Sequence, residues 1–325
     1  MATLSIQLFG KFCVRRNEHI SNGFEARKVQ ELFCYLVLHR DHALPRETLA
    51  SILWPDTITV QSKKNLRQAL WQLQSALGSQ AEPINDRVLL VEPDWVQLNA
   101  EADLWLDVAV FEQAFVLVQK IPGQELDASK AQVLHDAAQL YQGPLLEGWY
   151  HDWCLFERER LQGMYLAMLD KLMSYCEVRH DYETGLLYGM RIMCYDRARE
   201  STHRRLMRLH CLSGNRAAAL RQYDQCSAAL EEELGVRPSK HTVAIYEKIQ
   251  ADLLDEPAVA VAVVNTAHEV PATTLLEVLG HLAQLQVVIT DLQNEVQQSI
   301  QTVQQVLKNY TIPVYTEPPK REMLQ

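Results

Sequence analysis

The sequence predicts a mainly α-helical protein that begins with a winged helix-turn-helix containing short β elements. A helical domain resembling tetratricopeptide repeats (TPR-like) and a coiled-coil tail are expected to follow it. Three observations support this fold class: the order of strand and helix patterns near the N-terminus, an internal repeat of 34 residues and a series of apolar heptads. The expected boundaries are 1–100 for the winged helix, 101–254 for the helical domain, 255–273 for a linker, 274–310 for the coiled coil and 311–325 for a loose tail.

The strand and helix patterns of the first 100 residues follow the order of a winged helix. Alternating polarity in residues 2–20 predicts one or two short strands. From Ala26 the apolar residues recur with the period of a helix, and two further helices are expected at 46–53 and at about 61–77. Two β-like runs, at 88–91 and 95–98, then predict a hairpin that forms the wing.

The third helix carries the side chains that a DNA-reading helix requires. No acidic residue occurs between Asp56 and Glu82, whereas Lys, Arg, Gln and Asn are frequent there. The last helix of such a module enters the major groove, and these residue types bind base edges and phosphates. A solvated helix face without a ligand is the alternative interpretation. The candidate DNA-binding residues are Arg27, Lys28, Lys63, Lys64, Arg67, Gln68, Trp71, Gln72 and Ser75.

Residues 101–160 open a second, mostly helical region. Helices are expected at 103–105, at 108–118 and at 130–141, with Gly143-Pro144 ending the last of them. An aromatic run follows, and aromatic residues at helical spacing are typical of a core. A peptide-binding groove is the less favoured interpretation of this run, which consists of Trp149, Tyr150, Trp153 and Phe156.

The chain from Arg158 to Leu254 reads as nearly continuous helix and contains an internal repeat. The segment 180–186 aligns with 214–220 at an offset of 34 residues, which is the period of tetratricopeptide repeats. Gly185 and Ala219 occupy equivalent positions, where two helices are expected to cross closely. Helix pairs of this kind stack and form a surface for a protein partner.

Apolar heptads near the C-terminus predict a coiled coil. Its β-branched a positions with Leu at d favour a parallel dimer, while apolar e positions leave a larger bundle or packing on the chain's own body open. The candidate oligomerisation residues are Leu275, Val278, Leu282, Leu285, Ile289, Leu292, Val296, Val303 and Val306.

Composition limits the class of protein. Of 325 residues, 48% are hydrophobic and 22% are charged, as in average globular domains. No apolar stretch approaches the ~20 residues of a membrane span, and the N-terminus lacks a signal-peptide pattern. A cytoplasmic location without membrane contact is therefore expected. Seven cysteines without a Cys-x-x-Cys pair indicate reduced thiols, and neither a metal nor another cofactor is expected.

Several of these segments resemble the Streptomyces antibiotic regulatory proteins. The N-terminal part resembles their OmpR-like winged helix in Arg27-Lys28, Leu53-Trp54-Pro55 and Asn65-Leu66-Arg67. The following part is similar to their bacterial transcriptional activator domain, most specifically at 213–223, 230–238 and 141–146. The resemblance implies a regulator, usually an activator, that binds repeated promoter sites and contacts RNA polymerase.

The sequence departs from the pattern of this family at several points. Gln74 stands where relatives often carry a basic residue, and the wing turn Glu92-Pro93-Asp94 contains two acids that would repel phosphates. The P-loop of larger relatives does not occur, and the predicted coiled coil lies outside the basic family plan.

We therefore expect a sequence-specific DNA-binding regulator rather than an enzyme, because no catalytic motif occurs in the sequence. Its expected partners are double-stranded promoter DNA, RNA polymerase or another protein bound by the helical repeats, and a second copy of the chain. Binding to DNA would associate the protein with the nucleoid. The alternative is a scaffold in which the winged helix is degenerate and the repeats and coiled coil perform the function.

Overall fold

The computed structural model describes residues 4–17, 19–21, 23–78 and 87–253, and the N-terminus forms a small antiparallel sheet. Strand β1 (Leu4–Gln7) pairs with β2 (Cys13–Arg16), which pairs in turn with β3 (His19–Ile20). Leu4, Ile6 and Val14 point inward and are buried, as the alternation of polar and apolar residues predicts.

The helix-turn-helix region forms as predicted. Helix α1 (Arg27–Leu38) is followed by the short strand β4 (Leu44–Pro45), by α2 (Arg46–Leu53) and by α3 (Thr59–Ala76). The apolar face of α3 is buried against the first two helices through residues spaced three and four apart. The buried residues of this face are Leu66, Ala69, Leu70 and Leu73.

The wing is a hairpin attached to the start of α2. Strand β5 (Leu89–Val91) pairs with β6 (Trp95–Leu98), and β6 also pairs with β4, so that the order is β4-β6-β5. The backbone N–H of Arg46 donates a hydrogen bond of 2.9 Å to the carbonyl of Asp94 in the wing turn. These bonds hold the wing turn beside the first turn of α2.

The prediction of helix at 103–105 is wrong. Residues Leu104–Leu106 form strand β7, which pairs in parallel with β1 in the order β3-β2-β1-β7. The edge of β1 that faces away from β2 has backbone groups that form hydrogen bonds with this segment. The polarity pattern of three residues does not indicate that such a strand edge is available nearby. Helix α4 (Asp107–Val118) begins directly after the strand.

The rest of the described chain is a succession of helices, of which consecutive members contact each other. A short 3-10 turn at Gly123–Glu125 precedes them. They are α5 (Ala128–Leu140), α6 (Asp152–Val178), α7 (Tyr182–Met193), α8 (Glu200–Leu212), α9 (Arg216–Leu234) and α10 (Lys240–Gln250). Among the described residues, the helices are too short or too polar to cross a membrane.

The two copies of the 34-residue repeat have the same backbone structure at their turns. His180 and Gly214 both adopt positive φ, of 60° and 78°. The next residue caps a helix in each copy: Asp181 accepts from the N–H of Thr184, and Asn215 accepts from the N–H of Ala218. The matching turns and caps show that the repeat seen in the sequence is a structural helical repeat.

Helix crossings in the repeat depend on small residues. An ideal Cβ at Gly189 would lie 2.5 Å from Cδ2 of Leu206, so that α7 and α8 approach each other closely at this point. Ala219 on α9 is fully buried. The predicted linker at 255–273, coiled coil at 274–310 and tail at 311–325, with every candidate oligomerisation residue, lie outside the described residues.

Four of the seven cysteines are buried in the manner of small hydrophobic residues. All seven are free thiols, and Cys34, Cys154, Cys176 and Cys226 are buried. Burial raises the pKa of the Cys176 thiol to about 11. Thiols of this kind are unreactive at neutral pH.

Candidate nucleic-acid interface

Helix α3 presents a polar stripe to solvent on the side opposite its core residues. Lys64, Arg67, Gln68, Trp71 and Ser75 are all exposed, and the Trp71 side chain is 59% exposed. Spacings of three and four residues place them on one face of the helix. We call these five residues the α3 stripe.

Two cations of the α3 stripe carry uncompensated charge. In the described part of the chain, neither Lys64 nor Arg67 lies within ion-pair distance of a carboxylate. Lys63 differs from them, because its Nζ lies 2.5 Å from Oε1 of Glu47 on α2. This hydrogen bond lowers the pKa of the Glu47 carboxyl. Lys64 and Arg67 are therefore the cations available to an anionic ligand.

The remaining predicted residue on this helix, Gln72, is half-buried. It lies beside Trp71 and Ser75 along a shallow groove between α3 and the segment that leads into α1. Its amide is thus at the edge of the α3 stripe rather than at its centre.

A cleft of about 780 Å³ lies between α3, the first turn of α2 and the wing turn. It is bordered by both signs of charge, with Lys63, Arg67 and Arg46 near Glu47 and Asp94. The guanidinium of Arg46 donates a hydrogen bond of 3.2 Å to the carbonyl of Glu92 in the wing turn. The two exposed acids of the wing turn, Glu92 and Asp94, weaken attraction to phosphates on this side of α3.

Arg46 was not among the residues predicted from the sequence. The wing places its guanidinium beside the cleft through the pairing of β4 with β6. The nearest signal in the sequence is the position of Arg46 immediately after Pro45, at the start of the helix that precedes α3.

Two of the predicted DNA-binding residues, Arg27 and Lys28, hold a buried carboxylate. Glu31, whose side chain is 3% exposed, accepts from Arg27 Nε at 3.3 Å and from Lys28 Nζ at 2.7 Å. His151 Nε2 lies 3.4 Å from the same carboxylate. A buried carboxylate requires such partners, so these cations have a structural role in this state.

Arg27 also joins the winged helix to the helical domain. Its guanidinium lies over the Trp149 ring, 3.8 Å from the ring centroid. Trp153 packs edge-on against Tyr35 of α1. The predicted core role of the aromatic run thus applies to Trp149 and Trp153, while Tyr150 and Phe156 are exposed: 78% and 69% respectively.

A second contact between the winged helix and the helical domain involves Asp107, which was not among the residues predicted from the sequence. Its Oδ2 accepts from the backbone N–H of Leu8 at 2.8 Å and of Phe9 at 2.9 Å, and its Oδ1 accepts from the N–H of Val108 at 2.7 Å. Burial raises the pKa of this carboxyl to about 6 in spite of these hydrogen bonds. The signal in the sequence is a lone acid within the apolar run Leu104–Val110.

The turn at 143–146 adds further hydrogen bonds between the winged helix and the helical domain. The N–H of Gly10 donates to the carbonyl of Pro144 at 3.0 Å, and the N–H of Leu146 donates to the carbonyl of Leu8 at 2.8 Å. Arg158 donates to the carbonyls of Leu145 and Leu146 and holds the turn in place. The β1 end of the winged helix is therefore bound on both sides by the helical domain.

Comparison with known proteins agrees with this arrangement. Residues 106–250 match the family model described as "Bacterial transcriptional activator domain". The matched segment is similar to this domain and spans less than half of the chain. The match confirms the resemblance to the Streptomyces antibiotic regulatory proteins that the sequence indicated. The matched family is one of transcriptional activators.

A solved structure shares the fold of the winged helix and the activator domain. It is titled "Mycobacterium tuberculosis EmbR in complex with low affinity phosphopeptide" and has 17% sequence identity and a TM-score of 0.60. The similarity covers 79% of this chain and 67% of the EmbR chain. At this identity the similarity shows the fold alone. No curated protein matches the chain in sequence.

Proposed function

We propose that this transcriptional regulator binds specific sequences of double-stranded promoter DNA through α3 and activates transcription. The observation that carries the proposal is the α3 stripe, in which Lys64 and Arg67 are exposed on the last helix of a helix-turn-helix and form no ion pair with any described carboxylate. A helix in this position enters the major groove in DNA-binding proteins of this architecture.

Each residue of the α3 stripe has a role that follows from its chemistry. Arg67 offers the planar donor fork that binds O6 and N7 of guanine, and Gln68 offers the amide that binds adenine. Lys64 supplies a mobile ammonium for a base edge or a phosphate. Lys63 joins these contacts only when its ion pair with Glu47 gives way to a phosphate.

The activator domain and the tail supply the other partners in this proposal. The helical repeats would bind RNA polymerase or another protein, as stacked helix pairs do in TPR-like domains. The heptads at 274–310 would form a homodimer, which binds paired half-sites with higher avidity. The expected cytoplasmic location, with association with the nucleoid on DNA binding, belongs to the same proposal.

A salt titration of DNA binding tests the proposal. Fluorescence anisotropy would be measured with the full chain and the DNA upstream of its own gene, over a range of salt concentrations. Binding is expected to fall with salt, and Lys64→Ala or Arg67→Ala should weaken it by roughly 1–3 kcal/mol. A residue that contacts phosphate should also reduce the salt slope by about one unit when it is removed.

Arg221→Ala is the matched control for these variants. Arg221 is an exposed helical arginine on α9 of the activator domain, and its removal should leave DNA affinity unchanged. Equal losses in Arg67→Ala and Arg221→Ala would mean that charge alone, rather than α3, determines binding. Absence of binding at low salt in a folded protein would refute the proposal.

A scaffold is the second candidate function. Glu47 and Asp94 line the cleft beside α3, and Arg27 and Lys28 are paired with Glu31. Both features reduce the positive field that DNA binding requires. A folded, oligomeric protein that captures a protein partner through its repeats but binds no DNA would support this alternative.

A further inference from the structure

The start of α3 exposes apolar side chains beside its cations. Val60, in the first turn of the helix, is 79% exposed, and Ile58, just before the helix, is 77% exposed. Val60 also borders the cleft that Lys63 and Arg67 line. An exposed valine beside cations suits a ligand that carries both an apolar group and negative charge.

Helical geometry places Val60 on the same face as the α3 stripe. Val60 and Lys64 are four residues apart, and Lys64 and Arg67 are three apart, so that their side chains project from one face. At ~1.5 Å per residue, Val60 and Arg67 are separated by about 10 Å along the axis. Because the N-terminal residues of such helices contact base edges, Val60 would be as close to the bases as Arg67.

Base edges offer one kind of apolar group in the major groove, the 5-methyl group of thymine. We propose that Val60 binds a thymine methyl about three base pairs from a guanine bound by Arg67, since base pairs stack ~3.4 Å apart. This inference rests on the proposed DNA-binding function and adds part of the sequence that the site reads. The neighbouring Lys64 and Arg67 favour DNA over an apolar protein surface as the occupant.

Replacement of thymine by uracil tests this contact, because uracil lacks only the methyl group. Duplex sites for the full chain would first be selected from random-sequence DNA, and each thymine of the selected site would then be replaced singly. At one position, uracil is expected to weaken wild-type binding by about fourfold, the value of one buried methyl-sized group. In Val60→Ala the same replacement should have no measurable effect.

The matched control is Val116→Ala, which removes an exposed valine from α4 of the activator domain. This variant should retain the full effect of uracil. Val60→Ala should remain folded, since alanine is a better helix former than valine at an exposed position, and circular dichroism would verify this.

Replacement of the guanine about three base pairs away by 7-deazaguanine should weaken DNA binding by the wild type but not by Arg67→Ala.

The outcomes separate this inference from the function on which it rests. If selection yields no preferred sequence, the proposed function and the thymine contact both fail. If a preferred sequence emerges but tolerates uracil everywhere, or shows the same uracil effect in Val60→Ala, only the thymine contact fails. Ile58 and Val60 would then be assigned to a protein partner.

Discussion

Protonation of Asp107 is expected to stabilise the protein, which reverses the usual behaviour of an aspartate. The pKa of its carboxyl is about 6 in the folded chain, because burial outweighs the three backbone hydrogen bonds that it accepts. The unfolded value is close to 3.8. The folded state therefore binds more protons than the unfolded state between these two values, and stability falls as pH rises through this window.

The size of the effect follows from the shift in pKa. A difference of about two units corresponds to about 3 kcal/mol over the whole window. Between pH 4.5 and pH 7, the linkage relation gives a decrease of about 2 kcal/mol in the free energy of unfolding. The residue is 3% exposed, so solvent screening reduces this value little. Below about pH 3 the carboxyl is protonated in both states, so the full stabilisation is present and the free energy of unfolding no longer changes with pH through this group.

Urea unfolding of the wild type and of Asp107→Asn at several pH values measures this effect. The asparagine variant cannot ionise, so the difference in unfolding free energy between the two proteins isolates the titration of this group. The wild type should lose about 2 kcal/mol relative to the variant from pH 4.5 to pH 7. A difference that stays constant, or that changes in favour of the wild type as pH rises, would refute the reasoning.

Two further predictions concern packing and buried charge. Gly189→Ala should destabilise the protein by about 1–3 kcal/mol, because the new methyl would lie 2.5 Å from Leu206. Gly163 occupies an exposed helical position with no neighbour within 4 Å of an added Cβ. Gly163→Ala should therefore stabilise the protein by about 0.5–1 kcal/mol. Thermal unfolding of both variants distinguishes the packing effect at Gly189 from the helix-propensity effect at Gly163. Glu31→Gln should cost about 1–3 kcal/mol in urea unfolding, whereas the exposed Glu25→Gln should have no such effect. Equal costs would contradict a special role for Glu31.

Much of the fold was predictable because local periodicity and tertiary packing agree. The helices of the winged helix bury the faces that their apolar spacing indicates, as at Leu66, Leu70 and Leu73 of α3. The internal repeat also reappears as equivalent turns at His180 and Gly214. Pattern arguments succeed in these segments because a helix contributes its own backbone hydrogen bonds.

The candidate site was predicted less completely. The spacing of residues along α3 predicts that Lys64, Arg67 and Trp71 share an exposed face, and they do. It does not show that Lys63 pairs with Glu47 or that Arg27 stacks on Trp149, because these partners are distant in sequence. The sequence can therefore nominate a basic residue on a helix as a ligand-binding candidate. Only the tertiary structure shows whether that residue is already paired with another group of the protein.

The sequence by itself determined the helices, their buried faces, the repeat and the family resemblance. All of these features depend on residues that are close to each other along the chain, so that their spacing can be read directly from the sequence. The tertiary structure alone decided that 104–106 is a strand, that Glu31 is buried, and that Asp107 binds the backbone directly after β1. Such features depend on burial and on contacts between segments up to about a hundred residues apart. A carboxylate acquires a structural role only when folding removes it from water and brings its donors together.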